Sequence, residues 1–171
     1  MGSGSSGLYS GTHGSRGASA TASHARQMGS GVRQWAQREA DRCAAESKRK
    51  RKAFNTACIA FDPETGRTYY GRNGGIELNG SAKNPILFGV NGKGGLLPSH
   101  SLNHLSIGNC AEVDAINSAL NDGSDLGRLH IYTINADARR FGTAKPACEN
   151  CTATFRGKIK RNYTGWHKES E

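Results

Sequence analysis

The stretch "NCAEVDAINSAL", residues 109–120, decides the fold prediction because it places a thiol and a carboxylate at the start of an amphipathic helix. Val113, Ile116 and Leu120 recur at helical spacing, which predicts a helix with one face to bury. Cys110 and Glu112 fall in its first turn. A thiol and an acid at a helix N-terminus indicate a chemical site whose remaining groups come from elsewhere in the chain.

Length and charge set the bounds on what this chain can be. Its 171 residues predict one domain, and no stretch is apolar for long enough to span a membrane. The N-terminus has no apolar core of the signal-peptide type, so we expect no secretory signal peptide. The net charge of +9 is uneven: residues 1–53 carry +7, residues 54–155 carry −1 and residues 156–171 carry +3. Basic ends on a neutral middle are typical of polyanion-binding proteins, although solvated surface arms explain the charge equally well.

Composition divides the chain into three parts. Residues 1–31 are rich in Gly, Ser and Ala and predict a flexible linker or tag. Residues 32–53 predict a basic N-terminal helix that ends in "KRKRK", Lys48 to Lys52, which is either a nucleic-acid contact, an import-like patch or a solvated helix end. Residues 54–171 predict the globular domain, with a basic C-terminal tail.

The globular part predicts a mixed α/β domain that begins with a hairpin. Residues 55–62 and 67–74 form two strand patterns separated by a turn that contains Pro63 and Gly66. The polar, glycine-rich connection 74–108 is long for a compact domain, and such loops are usually functional. The 109–120 helix follows, then a strand from Leu129 to Ala136 and a further helix that begins near Cys148.

The cysteines supply partners for Cys110. Their odd count and the predicted lack of a signal peptide argue against a disulfide framework. Cys148 and Cys151 are spaced three apart at a predicted helix start, where both thiols face one side and thiolates are favoured. Two such thiolates make half of a tetrahedral zinc site. Taken alone, the pair also fits a redox dithiol or no site at all.

Cys110 brings the set to three sulfur ligands, which with one open position describes a catalytic zinc site. We expect Cys43 and Cys58, both on apolar faces, to be small buried hydrophobes instead. A closed site completed by His100 or His104 is the main structural alternative. Glu112 favours the open site, because a carboxylate there can take a proton from zinc-bound water, whereas a structural site has no use for it.

"CAE" followed by "PACENC" resembles the zinc deaminase pattern in its three-cysteine form, with one extra residue, Ala147, between Pro146 and Cys148. The flanking residues are most similar to the YwqJ-like deaminases of bacterial polymorphic toxins, and the resemblance covers residues 54–157. It implies a cytidine deaminase-like three-layer α-β-α fold, in which a mixed β-sheet that starts with a hairpin is flanked by helices. It also implies a Zn²⁺ ion on the three thiols and a catalytic Glu112.

The same resemblance implies a function and a setting. The expected reaction is hydrolytic deamination of cytosine to uracil in nucleic acid, carried out by a secreted toxin domain that is delivered to the target-cell cytoplasm and met by a cognate immunity protein. No membrane partner is expected. Adenine or a free nucleoside as substrate, a non-catalytic zinc-stabilised nucleic-acid-binding module and a redox protein remain alternatives. The sequence does not distinguish DNA from RNA as the substrate, or a single strand from a base flipped out of a duplex.

Two short segments supply candidate substrate contacts. Residues just ahead of the zinc helix can hold a base edge or sugar, and an aromatic beside two arginines suits base stacking with phosphate contact. Loop-stabilising hydrogen bonds and core packing explain the same residues equally well. The candidates are Asn103, His104, Asn109, Arg139, Arg140 and Phe141.

Overall fold

The structure, a computed structural model, describes residues 17–168. The first helix, α1, spans Gly17–Glu46, so it begins well before the predicted start at residue 32. Met28 is buried on the same stripe as Val32, which extends the packed face of the helix into the segment predicted to be a flexible linker. The linker prediction is therefore wrong for residues 17–31. Residues 1–16 of that prediction lie outside the described residues.

Two glycines explain why the sequence was misleading here. A Cβ atom on Gly29 would lie 3.0 Å from the ring of Tyr132, and one on Gly31 would lie 3.1 Å from the hydroxyl of Tyr70. The glycines therefore let α1 approach side chains of the sheet closely. Composition alone indicates flexibility, whereas packing against the sheet compensates for the low helix propensity of glycine.

The remaining elements follow the predicted order, with three additions. The predicted hairpin, helix 109–120, strand 129–136 and final helix are confirmed within a few residues. Two short helices in the connection 74–108 and a two-residue last strand were not predicted, since segments this short carry no periodic signal. The elements are α2 (Lys48–Ala53), β1 (Thr56–Asp62), β2 (Arg67–Arg72), α3 (Gly75–Asn79), α4 (Pro85–Phe88), α5 (Ala111–Asn121), β3 (His130–Asn135), α6 (Glu149–Phe155) and β4 (Arg161–Asn162).

The four strands form one mixed sheet in the order β2-β1-β3-β4. β1 is antiparallel to both β2 and β3, whereas β3 and β4 are parallel. Every residue of β1 is buried, as a central strand requires. The start of β1 therefore lies beside the ends of β2 and β3, at a single end of the sheet.

Helices cover both faces of the sheet. Ala57, Ile59 and Phe61 of β1 pack in one apolar cluster with α1. The alternate residues Cys58 and Ala60 pack in a second cluster with α5 and α6. This alternation follows from the two-residue period of a strand, which sends successive side chains to opposite faces. The predicted α/β class, a mixed sheet flanked by helices, is thereby confirmed.

Helix α5 lies directly on the backbone of β2. A Cβ atom on Gly71 would come within 2.3 Å of the backbone nitrogen of Ala115, a distance that no side chain can occupy. Glycine at this position therefore fixes how closely α5 approaches the sheet. The first turn of the helix is held in turn by Asp114, whose carboxylate accepts a hydrogen bond of 3.0 Å from the backbone N–H of Arg72.

The connection 74–108 is tied to α5 by amide side chains. Asn117 accepts a 2.8 Å hydrogen bond from the Asn84 backbone N–H and donates one of 2.8 Å to the Ala82 carbonyl.

Among the helices of residues 17–168, none has the length and hydropathy that crossing a bilayer requires.

Candidate functional site

The three thiols predicted to share a metal meet where two helices begin. Cys110 is the N-cap residue of α5, Cys148 is the N-cap residue of α6, and Cys151 lies in the first turn of α6. Their three Sγ atoms all lie within 4.8 Å of one another, and those of Cys110 and Cys148 are 3.3 Å apart. Tetrahedral zinc with Zn–S bonds of about 2.3 Å places its sulfur ligands about 3.8 Å apart. The triad therefore fits a metal ion and is compatible with zinc.

The three thiols differ in the direction of their pKa shifts. Hydrogen bonds from Cys110 and Cys151, supported by backbone N–H groups at the start of α6, hold the pKa of Cys148 well below its usual range. Hydrogen bonding to Cys148 raises the pKa of Cys110, and hydrogen bonds to its two neighbours together with burial raise that of Cys151. Negative charge thus collects on Cys148. A divalent cation at this place would displace the remaining protons, as metal binding to thiols generally does.

The other two cysteines lie elsewhere, in agreement with the prediction that they are small buried hydrophobes. Cys43, on α1, is 2% exposed and its Sγ lies 3.3 Å from Nη1 of Arg72. Cys58, in β1, is fully buried and its thiol contacts the carbonyl of Ile59. Within residues 21–168, the metal-binding group consists of the three thiols of the triad, and neither His100 nor His104 belongs to it.

Glu112 is buried beside the thiols. Its Oε2 accepts a 3.2 Å hydrogen bond from the hydroxyl of Thr133, and its Oε1 lies 3.8 Å from Sγ of Cys151. Burial raises the pKa of Glu112, and the charge on Cys148 acts in the same direction, while Lys145 and the Thr133 hydroxyl oppose the shift. In the described part of the chain, no ion pair is found for this carboxylate. It is therefore held in place while one oxygen stays oriented towards the thiols.

A small cavity of about 80 Å³ opens onto Glu112 and two of the thiols. It lies at the end of the sheet where β1 begins. Its walls combine amide, hydroxyl and ammonium groups, which are able to hydrogen-bond a polar ring. The lining residues are Asn55, Thr56, Asn73, Leu105, Asn109, Cys110, Ala111, Glu112, Lys145 and Cys148. A larger cavity of about 490 Å³ lies between α1 and α5 around the ion pair of Glu39 and Arg72, and none of the triad thiols lines it.

Sequence reasoning missed Lys145 as a cavity residue. Its Nζ donates a 2.8 Å hydrogen bond to the hydroxyl of Thr56, and its backbone N–H donates one of 2.9 Å to the carbonyl of Thr133. The position three residues before Cys148 was the available signal, since a residue that close to a ligand has to lie near the site. Asn55 and Thr56 carried no comparable signal because they precede the nearest ligand by more than fifty residues.

The candidate contacts ahead of α5 divide between cavity and loop. Asn109 lines the cavity, and its contact with a substrate stays a prediction. Asn103 instead stabilises its own loop, because its Oδ1 accepts hydrogen bonds of 2.8 Å from the Leu105 backbone and 3.2 Å from Nδ2 of Asn150. His104 is exposed and does not line the cavity.

The candidate contacts after β3 all lie outside the cavity. Phe141 is partly buried and packs against the apolar cluster on the α1 side of the sheet, which agrees with a role in core packing. Arg139 and Arg140 are exposed, and Arg140 forms an ion pair of 3.3 Å with Asp137. Stacking of a base on Phe141 stays a prediction, since the ring is partly buried and does not line the cavity.

Comparison of the chain with protein-family models, curated proteins and solved structures gives no match. The chemistry of the site is therefore argued from its own geometry. That geometry consists of a thiol triad able to hold a metal ion, a buried carboxylate beside it, and a cavity that reaches both.

Proposed function

We propose that this protein is a zinc-dependent hydrolytic deaminase with a cytidine deaminase-like fold, and that it converts cytosine to uracil in nucleic acid. The observation that carries the proposal is the buried Glu112 carboxylate, which lies beside three metal-binding thiols and lines the same cavity. A zinc site that only stabilises the fold has no use for such a carboxylate. Burying one without an ion pair is costly, which favours a chemical role.

The proposed reaction needs a metal and a proton carrier. Zinc, held by Cys110, Cys148 and Cys151, would supply a water molecule whose pKa is low enough for attack on C4 of cytosine near neutral pH. Glu112 accepts the proton of the attacking water at the carboxylate oxygen that is directed towards the thiols. It then delivers that proton to the ring nitrogen and transfers a second proton, from the hydroxyl group that the attack places on C4, to the departing ammonia. The Thr133 hydroxyl holds the other carboxylate oxygen, which fixes the orientation of the carrier.

The substrate assignment rests on the sequence resemblance and on charge. The resemblance to the zinc deaminase pattern favours cytosine over adenine as the base. The net charge of +9 favours a polyanionic substrate over a free nucleoside. The resemblance of the sequence motifs extends the proposal to a toxin domain that acts in the cytoplasm of a target cell and is neutralised by an immunity protein.

Direct sequencing tests the proposed reaction. The protein is incubated with single-stranded DNA and RNA and the products are sequenced, with Glu112→Gln as the matched inactive variant. C-to-T or C-to-U changes that need Glu112 and one zinc per chain are the expected result. A-to-G changes would instead assign adenine as the substrate. A zinc-containing protein that leaves both polymers and free cytidine unchanged would contradict the deaminase proposal and leave a zinc-stabilised binding module, whereas a chain that binds no zinc would favour a redox dithiol.

A further inference from the structure

The cavity shares its end of the sheet with two basic segments. Asn55 lines the cavity and directly follows α2 and its C-cap residue, while its carbonyl accepts a 2.8 Å hydrogen bond from the N–H of Ala136, just after β3. Asn73, also in the cavity wall, donates a 2.8 Å hydrogen bond to the carbonyl of Ala53 at the end of α2. Helix α2 and the loop that follows β3 therefore both lie beside residues that line the cavity.

The five basic side chains of α2 have different roles. Arg51 joins two parts of the backbone, because its guanidinium donates to the carbonyls of Phe54, at 3.2 Å, and Ala136, at 3.0 Å. Lys50 pairs with Glu46 at 3.3 Å. The other three basic side chains are exposed, and no ion pair is found for them within residues 21–168. These are Lys48, Arg49 and Lys52.

Two of these exposed cations face the loop after β3. Lys48 and Lys52 are four residues apart and so lie on the same side of α2. Together with Asp137 and Ala138 they line a shallow cavity of about 290 Å³, and the exposed Arg139 comes next in the loop. Asp137, the acidic residue in this lining, is paired with Arg140. Lys48, Lys52 and Arg139 are thus three exposed cations on α2 and on the loop that faces it, and together they are here called the basic rim.

We propose that the basic rim binds the phosphate backbone of a single-stranded polynucleotide while one of its bases enters the cavity. This inference rests on the proposed deaminase function. Ammonium and guanidinium groups are the usual phosphate ligands of proteins. The rim and the cavity lie at the same end of the sheet, and the cavity wall contains one further cation, Lys145, next to the Glu112 carboxylate. A single strand is the form in which an exocyclic amino group is accessible without the cost of flipping a base.

A matched pair of triple variants tests the rim. The rim variant carries Lys48→Gln, Lys52→Gln and Arg139→Gln. The control variant removes the same charge with Arg156→Gln, Lys158→Gln and Lys160→Gln, three exposed residues in the segment that follows α6. The backbone of Lys160 bonds the carbonyl of Leu129, just before β3, so this segment lies towards the opposite end of the sheet. Zinc content and thermal midpoint are measured first, to show that both variants are folded.

The readout is the salt dependence of binding to a short cytosine-containing single-stranded oligonucleotide. Each phosphate contact on a single strand contributes about −0.7 to the slope of log affinity against log salt, so loss of three contacts flattens the slope by about 2. We expect that change in the rim variant and none in the control variant. An unchanged rim slope, equal flattening in the control, or tighter binding of a matched duplex would overturn the inference.

The binding assay separates this inference from the proposed function, because binding is measured without turnover. Suppose that the parent protein deaminates no substrate but the rim variant shows a flatter slope of log affinity against log salt. The basic rim would then remain a nucleic-acid-binding surface, and the deaminase assignment would be wrong. Deamination by the parent, together with an unchanged rim slope, would keep the enzyme and remove the rim.

Discussion

Two buried carboxylates at opposite ends of the sheet have opposite surroundings. Asp62, at the end of β1, is fully buried and accepts hydrogen bonds from the Ser124 hydroxyl at 2.8 Å, the Arg128 guanidinium at 2.9 Å and the Glu64 backbone N–H at 3.0 Å. Burial alone would raise the pKa of Asp62, but these hydrogen bonds outweigh it and lower the pKa. Glu112 is 3% exposed, and burial raises its pKa.

The difference shows that the bonding partners of a buried acid decide its role. Asp62 keeps its charge, and its ion pair with Arg128 joins β1 to the segment that leads into β3. The pair therefore stabilises the folded state. Glu112 is positioned by one hydroxyl, its other oxygen lies beside a thiol, and no ion pair is found for it among the described residues, which suits a proton carrier. Predictions that separate loss of chemistry from loss of stability therefore test this comparison.

The largest effect is expected at the thiols. Cys148→Ser should remove the metal and with it the proposed deaminase activity, because a hydroxyl is a much weaker zinc ligand than a thiolate and only two thiols of the triad remain. Cys43→Ala and Cys58→Ala are the controls and should keep one zinc per chain, since both thiols lie outside the triad. Metal analysis of the purified variants is the measurement. Zinc loss in the Cys58 variant would show that the triad has been assigned incorrectly.

Glu112→Gln should have the next largest effect. The amide keeps the shape of the side chain but cannot carry the proton, and loss of a positioned proton carrier costs roughly 10²–10⁴ in rate. Zinc content should stay at the parent level, and the thermal midpoint should not fall, because an amide is less costly to bury than a carboxylate. Turnover within a few-fold of the parent would exclude Glu112 as the proton carrier.

Asp62→Asn should give the reverse pattern, with stability lost and the rate per folded molecule retained. Hydrogen bonds to a charged group contribute about 2 kcal/mol, so the free energy of unfolding should fall by about that amount. Because the folded-state pKa lies below the ordinary value of 3.8, this contribution is fully present above that pH and is lost as the pH falls through the folded-state value. Denaturant unfolding is measured at pH 7 and below pH 4. The difference in free energy of unfolding between parent and variant should be smaller at the acidic pH. A difference that is constant with pH would contradict the assigned role.

The smallest effect is expected at Thr133, which positions Glu112 without touching the reacting atoms. Thr133→Val removes the hydroxyl that donates to Oε2 and should lower kcat by about tenfold, equivalent to about 1.4 kcal/mol. Thr133→Ser keeps a hydroxyl and should recover most of the rate. Steady-state kinetics at constant zinc occupancy measure both variants. Equal rates for the valine and serine variants would show that the hydroxyl does not orient the acid.

Local patterns in the sequence were enough to predict the elements of the site. The helical period of Val113, Ile116 and Leu120 predicted α5, and it placed Cys110 and Glu112 at its start. The spacing of Cys148 and Cys151 predicted a second thiol-bearing helix start. These predictions succeeded because helix periodicity and ligand chemistry depend on residues close together in the chain.

Only the tertiary structure decided which distant groups complete the site. The antiparallel pairing of β1 with β2 and β3 brings Thr56, Thr133 and Lys145 to the same end of the sheet. No local pattern encodes that pairing, because it depends on contacts between segments tens of residues apart. For the same reason, no local pattern predicted the packing of Phe141 against the α1-side cluster or the hydrogen bond of Arg51 to Ala136. The sequence determined the thiols and the carboxylate of the candidate site, whereas long-range packing determined the walls of the cavity and the surface around it.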